Sequence, residues 1–269
     1  MRLDDVRGFV LDVDGTLVHR AGDGMHVQPG ARELLAAIRG SGRPLALFTN
    51  GSYAPPEAFA AELRGAGLDV ADDELLTPLC SVQVYLRTHD PEAGLLLFGT
   101  DAAREYLEQA GIRILGDEDS ARVDAVFVAQ PASIGFPELE RAARAVLGGA
   151  PLLVGSYAPA YAGADGPIFS RGAMTAAAIA KASGAEPTVV GKPSLAALES
   201  IGDRLGVPPE QLVVIGDDLT MDVALGRLGG SRTVLVRSGI SGGVNLAGVD
   251  ESTRPDAVVE RVADILDWL

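Results

Sequence analysis

Two carboxylates separated by one residue follow a short apolar run near the amino terminus. The run ends in Asp12, and Asp14 comes two positions later, directly before Gly15. Side chains two residues apart in an extended strand point to the same side of the chain. One carboxylate could then attack an electrophile while the other transfers protons. A D-x-D sequence is also typical of an Asx turn after a strand, so the pair needs support from other residues.

A second acidic segment lies far along the chain. An apolar run leads into Asp217 and Asp218, and Asp222 follows shortly afterwards. If the two apolar runs are neighbouring strands, we expect Asp12, Asp14 and Asp217 to meet beyond the carboxyl edge of one sheet. Their mutual repulsion would require a cation, and an all-oxygen donor set favours Mg²⁺ over Zn²⁺. Asp218 is expected to cap the following helix or to face solvent.

Two further segments could bind a phosphate group. Thr49, Asn50 and Gly51 end an apolar run with a hydroxyl, an amide and a glycine whose backbone N–H an anion can approach closely. Lys192 precedes Pro193, which suits the first position of a helix, so the lysine is expected at a helix N-terminus that attracts anions. A nucleotide-binding P-loop would have Ser or Thr after the lysine. Pro193 therefore excludes a P-loop kinase or NTPase.

Short apolar runs followed by amphipathic stretches predict alternating strands and helices. Runs that are apolar on both faces favour a buried, mainly parallel sheet in an α/β protein. The expected strands are residues 8–13, 44–49, 94–99, 124–130, 151–156, 188–191, 212–217 and 233–238. The chemically distinctive residues lie near the two ends of this series, so the middle is expected to be an insertion that forms a second, smaller α/β domain.

Composition narrows the classes of partner and location. The chain has 269 residues, 47% of them hydrophobic, and a formal charge of −15. That charge disfavours nucleic acid and anionic membranes as partners, and no apolar run reaches the roughly 18 to 20 residues of a membrane span. The amino terminus lacks the pattern of a secretory signal, so we expect a cytoplasmic protein. The single cysteine, Cys80, cannot form an internal disulfide and is expected to be buried packing.

The ordered motifs D-V-D-G-T, T-N-G, G-K-P and G-D-D-x-x-x-D resemble those of the haloacid dehalogenase superfamily. The resemblance covers nearly the whole chain. HVQPGARELLAAIRGSGRPLALFTNGS, the long intervening span and VVGKPS are similar to subfamily IIA, the NagD-type and phosphoglycolate-type phosphatases with a large α/β cap. The resemblance implies a Rossmann-like core with a parallel sheet in residues 1–80 and 186–269, and an inserted cap domain in residues 81–185.

The resemblance also implies a role for each acidic motif residue. Asp12 would be the nucleophile and a Mg²⁺ ligand. Asp14 would be the general acid and base, and its backbone carbonyl would also bind the metal. Asp217 would be a further ligand, and Asp222 would support the metal shell. The implied activity is the Mg²⁺-dependent hydrolysis of a small-molecule phosphomonoester through an aspartyl-phosphate intermediate.

The phosphate-binding residues implied by the resemblance are Thr49, the backbone of Asn50 and Gly51, and Lys192. The chain departs from the subfamily in other places. The usual T-N-N is T-N-G here, and the usual cap segment T-N-x-D is replaced by G-S-Y-A at residues 155–158. Many relatives also have G-x-D where this chain reads Ala-Gln-Pro at residues 129–131. Since cap residues select the leaving group, no relative's substrate can be transferred to this chain.

Two other functions use the same motifs. A phosphotransferase would have the same core and pass the phosphoryl group to an acceptor other than water, and a regulatory protein would bind a phosphate ligand without chemistry. We expect a small phosphorylated metabolite as the partner, and self-association would run through the cap. Selectivity is expected in the loop Gly155 to Gly166 through Tyr157 and Tyr161. An ordinary surface loop is the alternative.

Overall fold

The computed structural model describes residues 2–22, 24–116, 122–163 and 166–269, and in the stretch 161–167 only backbone is described. A six-stranded parallel sheet forms one half of the fold. From edge to edge it consists of β14 (Ala257–Val259), β13 (Arg232–Val236), β12 (Leu212–Gly216), β1 (Gly8–Asp12), β4 (Leu45–Phe48) and β5 (Leu75–Leu76). The central position of β1 brings its carboxyl end between those of β12 and β4.

A four-stranded parallel sheet forms the other half. Its strands, in spatial order, are β11 (Thr188–Val189), β8 (Leu152–Val154), β7 (Ala125–Val128) and β6 (Leu95–Phe98). The segment 81–185, expected to be the cap, supplies three of them, and β11 follows it in sequence. The expected domain boundaries stay predictions. All eight expected strands are present in the two sheets, each somewhat shorter than its apolar run.

Two antiparallel hairpins and two short edge strands were not expected from the sequence. The hairpins pair β2 (Val18–Ala21) with β3 (Gly24–Val27), and β9 (Ala160–Gly163) with β10 (Gly166–Phe169). The edge strands are β5 and β14. These strands are only two to four residues long, too short for a hydrophobic period to stand out.

In the described part of the chain, eight α-helices flank the sheets, and the alternation of strands and helices confirms the expected α/β class. The helices are α1 (Ala31–Gly40), α2 (Pro56–Gly65), α3 (Pro78–His89), α4 (Asp101–Gln109), α5 (Phe136–Leu147), α6 (Arg171–Ser183), α7 (Leu195–Leu205) and α8 (Ala224–Gly229). Helix α3 lacks the amphipathic pattern that predicts a helix from sequence, because buried residues occupy most of its positions and leave no clear polar face. It carries Cys80, which is buried as expected.

Burial on both faces holds β1 in place. Phe9 and Leu11 pack into one hydrophobic cluster, and Val10 between them packs into another on the opposite face. Each of these three side chains is at most 1% exposed, and complete burial of such a side chain contributes about 1.5–3 kcal/mol. The strand end that carries Asp12 is therefore anchored from two sides. Within the described residues, no helix is long and apolar enough to cross a membrane.

Candidate active site

Four charged side chains lie buried together at the carboxyl edge of the six-stranded sheet. Asp12 is the last residue of β1, Asp217 directly follows β12, and Asp222 lies in the single turn of π-helix at Leu219–Val223. Oxygens of these three carboxylates lie within 4.8 Å of one another. Lys192 is the fourth member, and all four residues are between 2 and 9% exposed. Because β1 and β12 are parallel neighbours, their ends bring together residues some 200 positions apart.

The Lys192 ammonium group links two of the carboxylates. Its Nζ donates to Asp12 Oδ1 at 2.6 Å, to Asp222 Oδ1 at 2.7 Å and to the Phe48 carbonyl oxygen at 2.8 Å. An ammonium group has three donors, so every one of them is used. The chain contains 22 basic residues, and only Lys181 and Lys192 are lysines. A compact ammonium suits this position, because three acceptors surround one point.

Burial and crowding alter the ionisation of the cluster. Burial raises the pKa of Asp12 well above its usual value; Lys192 opposes the shift, and Asp222 and Asp217 add to it. Burial and Asp222 raise the pKa of Asp217 to about 6, although the Ile240 N–H, which donates to Asp217 Oδ2 at 2.6 Å, works in the opposite direction. Burial alone would lower the pKa of Lys192, but the Asp12 and Asp222 carboxylates outweigh it and raise that pKa. Three carboxylates facing one ammonium favour the binding of a further cation.

The side chain of Asn50 clamps the backbone of Lys192. Asn50 Nδ2 donates to the Lys192 carbonyl oxygen at 2.9 Å, and Asn50 Oδ1 accepts from the Lys192 backbone N–H at 2.8 Å. This reciprocal pair joins the end of β4 to the segment before α7. Sequence reasoning had assigned Asn50 to phosphate binding and missed the clamp. An amide is the side chain that can donate and accept in one plane.

Thr49 and Gly51 lie beside the cluster, as expected from their position after β4. The Thr49 hydroxyl oxygen accepts from the Gly51 backbone N–H at 3.1 Å, and Thr49 is buried. A Cβ on Gly51 would lie 2.7 Å from the Phe59 ring. Close packing against that ring is therefore a reason for glycine at this position, besides the expected approach of an anion.

Asp14 departs from the expected arrangement. Its carboxylate does not join Asp12 and Asp217; it accepts from Arg20 Nε at 2.7 Å, and its side chain is 44% exposed. The expectation that these three carboxylates meet was wrong for Asp14, and Asp222 takes the third position. The reason is local: β1 ends at Asp12, and Gly15 adopts a φ of +91° in a turn, so the same-side rule for strands no longer applies. A metal contact by the Asp14 carbonyl stays a prediction.

Two expectations about helix starts have different outcomes. Asp218 is confirmed as a cap: its Oδ1 accepts from the backbone N–H groups of Thr220 at 2.7 Å and Met221 at 3.2 Å. Pro193 is not the first helical residue, because α7 begins at Leu195 and Ser194 is its N-cap. Lys192 therefore lies ahead of the helix, with its ammonium group directed into the acidic cluster.

The segment after β13 supports Asp217 and was not singled out in the sequence. The Ile240 N–H donates to Asp217 Oδ2, and the Ser238 hydroxyl donates to the Gly15 carbonyl oxygen at 2.6 Å. These contacts connect the first and last motifs through backbone groups. The glycine-rich run at residues 237–243, R-S-G-I-S-G-G, was the available signal, because such runs follow a strand where backbone must approach a site closely.

The loop expected to select substrate is only partly described. Tyr157 is 40% exposed. The side chain of Tyr161 lies outside the described part of the chain. The selective role of this loop stays a prediction.

Comparison with known proteins decides the family. Residues 9–113 match the family described as haloacid dehalogenase-like hydrolase, and residues 189–265 match one described as HAD-hydrolase-like. The chain is 31% identical to the ribonucleotide monophosphatase NagD of Escherichia coli over 261 residues, which cover 97% of this chain and 98% of the relative. The chain belongs to the haloacid dehalogenase-like hydrolases. The resemblance inferred from the motifs is confirmed.

Two further similarities extend over almost the whole chain. A dihydroxyacetone phosphatase of Corynebacterium glutamicum is 29% identical over 259 residues, covering 96% of this chain and 90% of the relative. The crystal structure of a 4-nitrophenylphosphatase from Thermotoga maritima superimposes with a TM-score of 0.86 at 25% identity and covers 98% of both chains. The expected fold of core and cap and the expected enzyme class, a phosphatase of this family, are confirmed.

Proposed function

We propose that this hydrolase is a Mg²⁺-dependent phosphomonoesterase that removes phosphate from a small soluble metabolite through an aspartyl-phosphate on Asp12. One observation carries the proposal. Asp12 Oδ1 is bound to Lys192 Nζ, whereas Asp12 Oδ2 is buried and has no hydrogen-bond partner among the described residues. A buried carboxylate oxygen without a partner is costly and is explained if it contacts a bound group.

The donor set fits a magnesium ion. Asp12, Asp217 and Asp222 offer oxygens close enough to share one cation, and Mg²⁺ binds through one or two carboxylates together with water and substrate phosphate. When bound, the ion would supply Lewis-acid stabilisation of the phosphoryl oxygens. Asp222 has a second function toward the protein itself, since its Oδ2 accepts from the Asp218 N–H at 3.1 Å.

In the first step, a carboxylate oxygen of Asp12 attacks phosphorus and the bond between phosphorus and the ester oxygen breaks. Asp14 gives a proton to the departing oxygen, which leaves as an alcohol. Lys192 stabilises the negative charge of the phosphoryl group and, through its bond to Oδ1, fixes the direction of the Asp12 carboxylate. Thr49 and the backbone at Asn50 and Gly51 contribute further phosphate contacts.

In the second step, water attacks the phosphorus of the aspartyl-phosphate and gives its proton to the Asp14 carboxylate. The acyl–phosphate bond breaks, Asp12 returns as a carboxylate, and inorganic phosphate is released. Arg20 holds Asp14 by an ion pair and is itself bound by Glu62 at 3.3 Å. This ion pair fixes the Asp14 side chain two residues after Asp12, and Asp14 is the group proposed for the proton transfer of both steps.

Isotope and trapping experiments test this route. The enzyme with Mg²⁺ should release phosphate from 4-nitrophenyl phosphate and from one or more members of a panel of sugar phosphates, glycerol phosphate, phosphoglycolate, nucleotides and pyridoxal phosphate. Borohydride reduction during turnover should convert Asp12 to homoserine, detectable by mass spectrometry of the peptide. In H₂¹⁸O each phosphate should acquire one ¹⁸O atom.

The alternatives give different results. A phosphotransferase would show the homoserine product but transfer phosphate to an added alcohol in preference to water. A regulatory protein that only binds phosphate would show neither turnover nor reduction at Asp12. A label confined to any other residue would contradict the proposal. The proposed partner is a small phosphorylated metabolite, without nucleic acid or membrane, and the expected cytoplasmic location and self-association through the cap stay predictions.

A further inference from the structure

A cavity of about 250 Å³ opens beside the proposed active site. It is formed by the loop after β4, the start of α4, the segment after β7 and the segment from β10 into α6. The residues that define its character are Tyr53, Thr100, Gln130, Ile168, Phe169 and Arg171. A cavity of this volume can hold a small organic group.

The cavity is connected to the catalytic groups through Tyr53. Tyr53 comes two residues after Gly51, and its carbonyl oxygen accepts from Thr100 Oγ1 at 2.7 Å, which joins the two halves of the fold. Burial raises the pKa of the Tyr53 hydroxyl to about 12; the charges of Glu62 and Asp14 add to the rise, and the charge of Arg20 opposes it. The Tyr53 side chain that lines the cavity is therefore within electrostatic range of Asp14, the residue proposed to protonate the leaving group.

Arg171 gives the cavity a positive charge. Its Nη1 donates to the Ala132 carbonyl oxygen at 3.1 Å, and no described carboxylate forms an ion pair with it. Arg20, by contrast, is bound by both Asp14 and Glu62. In a chain with 37 acidic and 22 basic residues, an arginine that contacts only a carbonyl is available to an anion, and its planar fork suits a carboxylate or a phosphate.

Two apolar side chains also line the cavity. Ile168 is 47% exposed and Phe169 is 64% exposed, although both are large hydrophobic side chains. Exposed apolar side chains rimmed by polar groups are typical of a binding site. Gln130 adds a polar side chain that can bind a hydroxyl. The lining therefore suits a short carbon skeleton that ends in an anionic group.

We infer that this cavity holds the leaving group of the substrate and that Arg171 selects esters whose leaving group carries a second anionic group, a carboxylate or a second phosphate. The inference rests on the proposed phosphatase function and names a substrate class for it. Arg171 acts on binding and not on the phosphoryl group. Its removal should therefore change the preference among substrates and leave the chemical step intact.

Matched pairs of esters test the inference. The carboxylate arm compares 3-phosphoglycerate with glycerol 3-phosphate, and the phosphate arm compares fructose 1,6-bisphosphate with fructose 6-phosphate. The protein variants are Arg171→Gln, Arg171→Lys and, as a matched control on the same half of the fold, Arg144→Gln, which removes an exposed arginine of α5 paired with Glu140. The readout is kcat/KM for each ester, with thermal unfolding to verify folding.

The wild-type enzyme should favour the anionic member of one or both pairs. Arg171→Gln should lower kcat/KM for that member about 10- to 100-fold and change the values for its neutral partner and for 4-nitrophenyl phosphate less than about twofold. Arg171→Lys should retain most of the preference, and Arg144→Gln should retain all of it. The arm that responds identifies the second anion as a carboxylate or a phosphate.

Two results would overturn the inference. One is a wild-type enzyme that favours the neutral member of both pairs or hydrolyses none of the four esters. The other is an Arg171→Gln variant whose values fall equally for neutral and anionic esters. In both cases, continued Mg²⁺-dependent hydrolysis of 4-nitrophenyl phosphate leaves the proposed function standing. If that hydrolysis is missing as well, the proposed function itself fails.

Discussion

The two sheets of this protein have the same parallel α/β architecture but present opposite surfaces at their carboxyl ends. The six-stranded sheet ends in Asp12, Asp217 and Asp222, all buried around Lys192. The four-stranded sheet leads into a cavity lined by Gln130 and by exposed apolar side chains. The phosphate group, which every ester shares, can contact the buried charged cluster. The leaving group, which differs between esters, can contact the exposed side chains of the cavity.

The difference has an energetic basis. Removing one partner of a buried ion pair leaves an uncompensated charge and costs about 3–5 kcal/mol, so the charged cluster tolerates little change. Substitutions of exposed side chains generally change the free energy of unfolding by less than about 0.5 kcal/mol. The cavity lining can therefore vary between relatives without loss of the fold. We therefore expect core variants to affect all esters alike and cavity variants to alter the ratio between esters.

The largest effect is expected at the proposed nucleophile. Asp12→Asn should lower kcat by about 10⁴-fold or more for every ester, because an amide cannot attack phosphorus. The fold should survive, as judged by circular dichroism and thermal unfolding. Asp267→Asn, a change at an exposed carboxylate, should leave activity unaltered. Residual activity above a few per cent would exclude Asp12 as the nucleophile.

Metal removal should have the next largest effect and should also act on every ester. EDTA should abolish activity and excess Mg²⁺ should restore it, because the clustered carboxylates need a cation before a phosphate dianion can enter. Asp217→Ala should raise the Mg²⁺ concentration for half-maximal activity on the order of 100-fold or eliminate activity. Mg²⁺ titrations of the wild type and the variant provide the measurement, and full activity in chelator would contradict the metal's involvement.

The Asn50 clamp should have an intermediate effect that combines activity and stability. Asn50→Ala removes both hydrogen bonds to the Lys192 backbone, so kcat should fall about tenfold and the free energy of unfolding by about 1–3 kcal/mol. The other asparagine provides the control, because Asn245→Ala removes only an exposed cap. Urea unfolding and steady-state kinetics measure the two quantities. Equal effects of the two variants on kcat would show that the clamp does not position Lys192.

The smallest effect should come from the cavity wall, and it should depend on the ester. Phe169→Ala should change kcat/KM by about three- to tenfold for some esters and little for others, since a lost apolar contact is worth about 1 kcal/mol or slightly more. Tyr157→Ala is the comparison, because Tyr157 is exposed but is not among the described residues that line the cavity. If Tyr157→Ala changes the ratios of kcat/KM between esters and Phe169→Ala does not, selectivity lies in the loop Gly155 to Gly166 that the sequence indicated.

The motif residues illustrate how far the sequence alone could lead. Asp12 and Asp217 each follow an apolar run, and parallel neighbouring strands bring such ends together, so their proximity was predictable. Asp14 was misjudged because the strand ends at Asp12 and the same-side rule ends with it. Arg20 contributes through its contacts with Asp14 and Glu62, and Asn50 through its contact with Lys192, 142 positions away; none of these contacts leaves a periodic signal.

The sequence by itself determined the family, the α/β class, all eight main strands and the identity of the charged residues. These follow from local patterns: apolar runs, their spacing and four ordered motifs. Only the tertiary structure decided which carboxylates share the cluster, that Asn50 clamps Lys192, and which residues line the cavity at Tyr53 and Arg171. Those features depend on where chain segments meet after folding, and a hydrogen bond between residues 142 positions apart has no counterpart in local sequence.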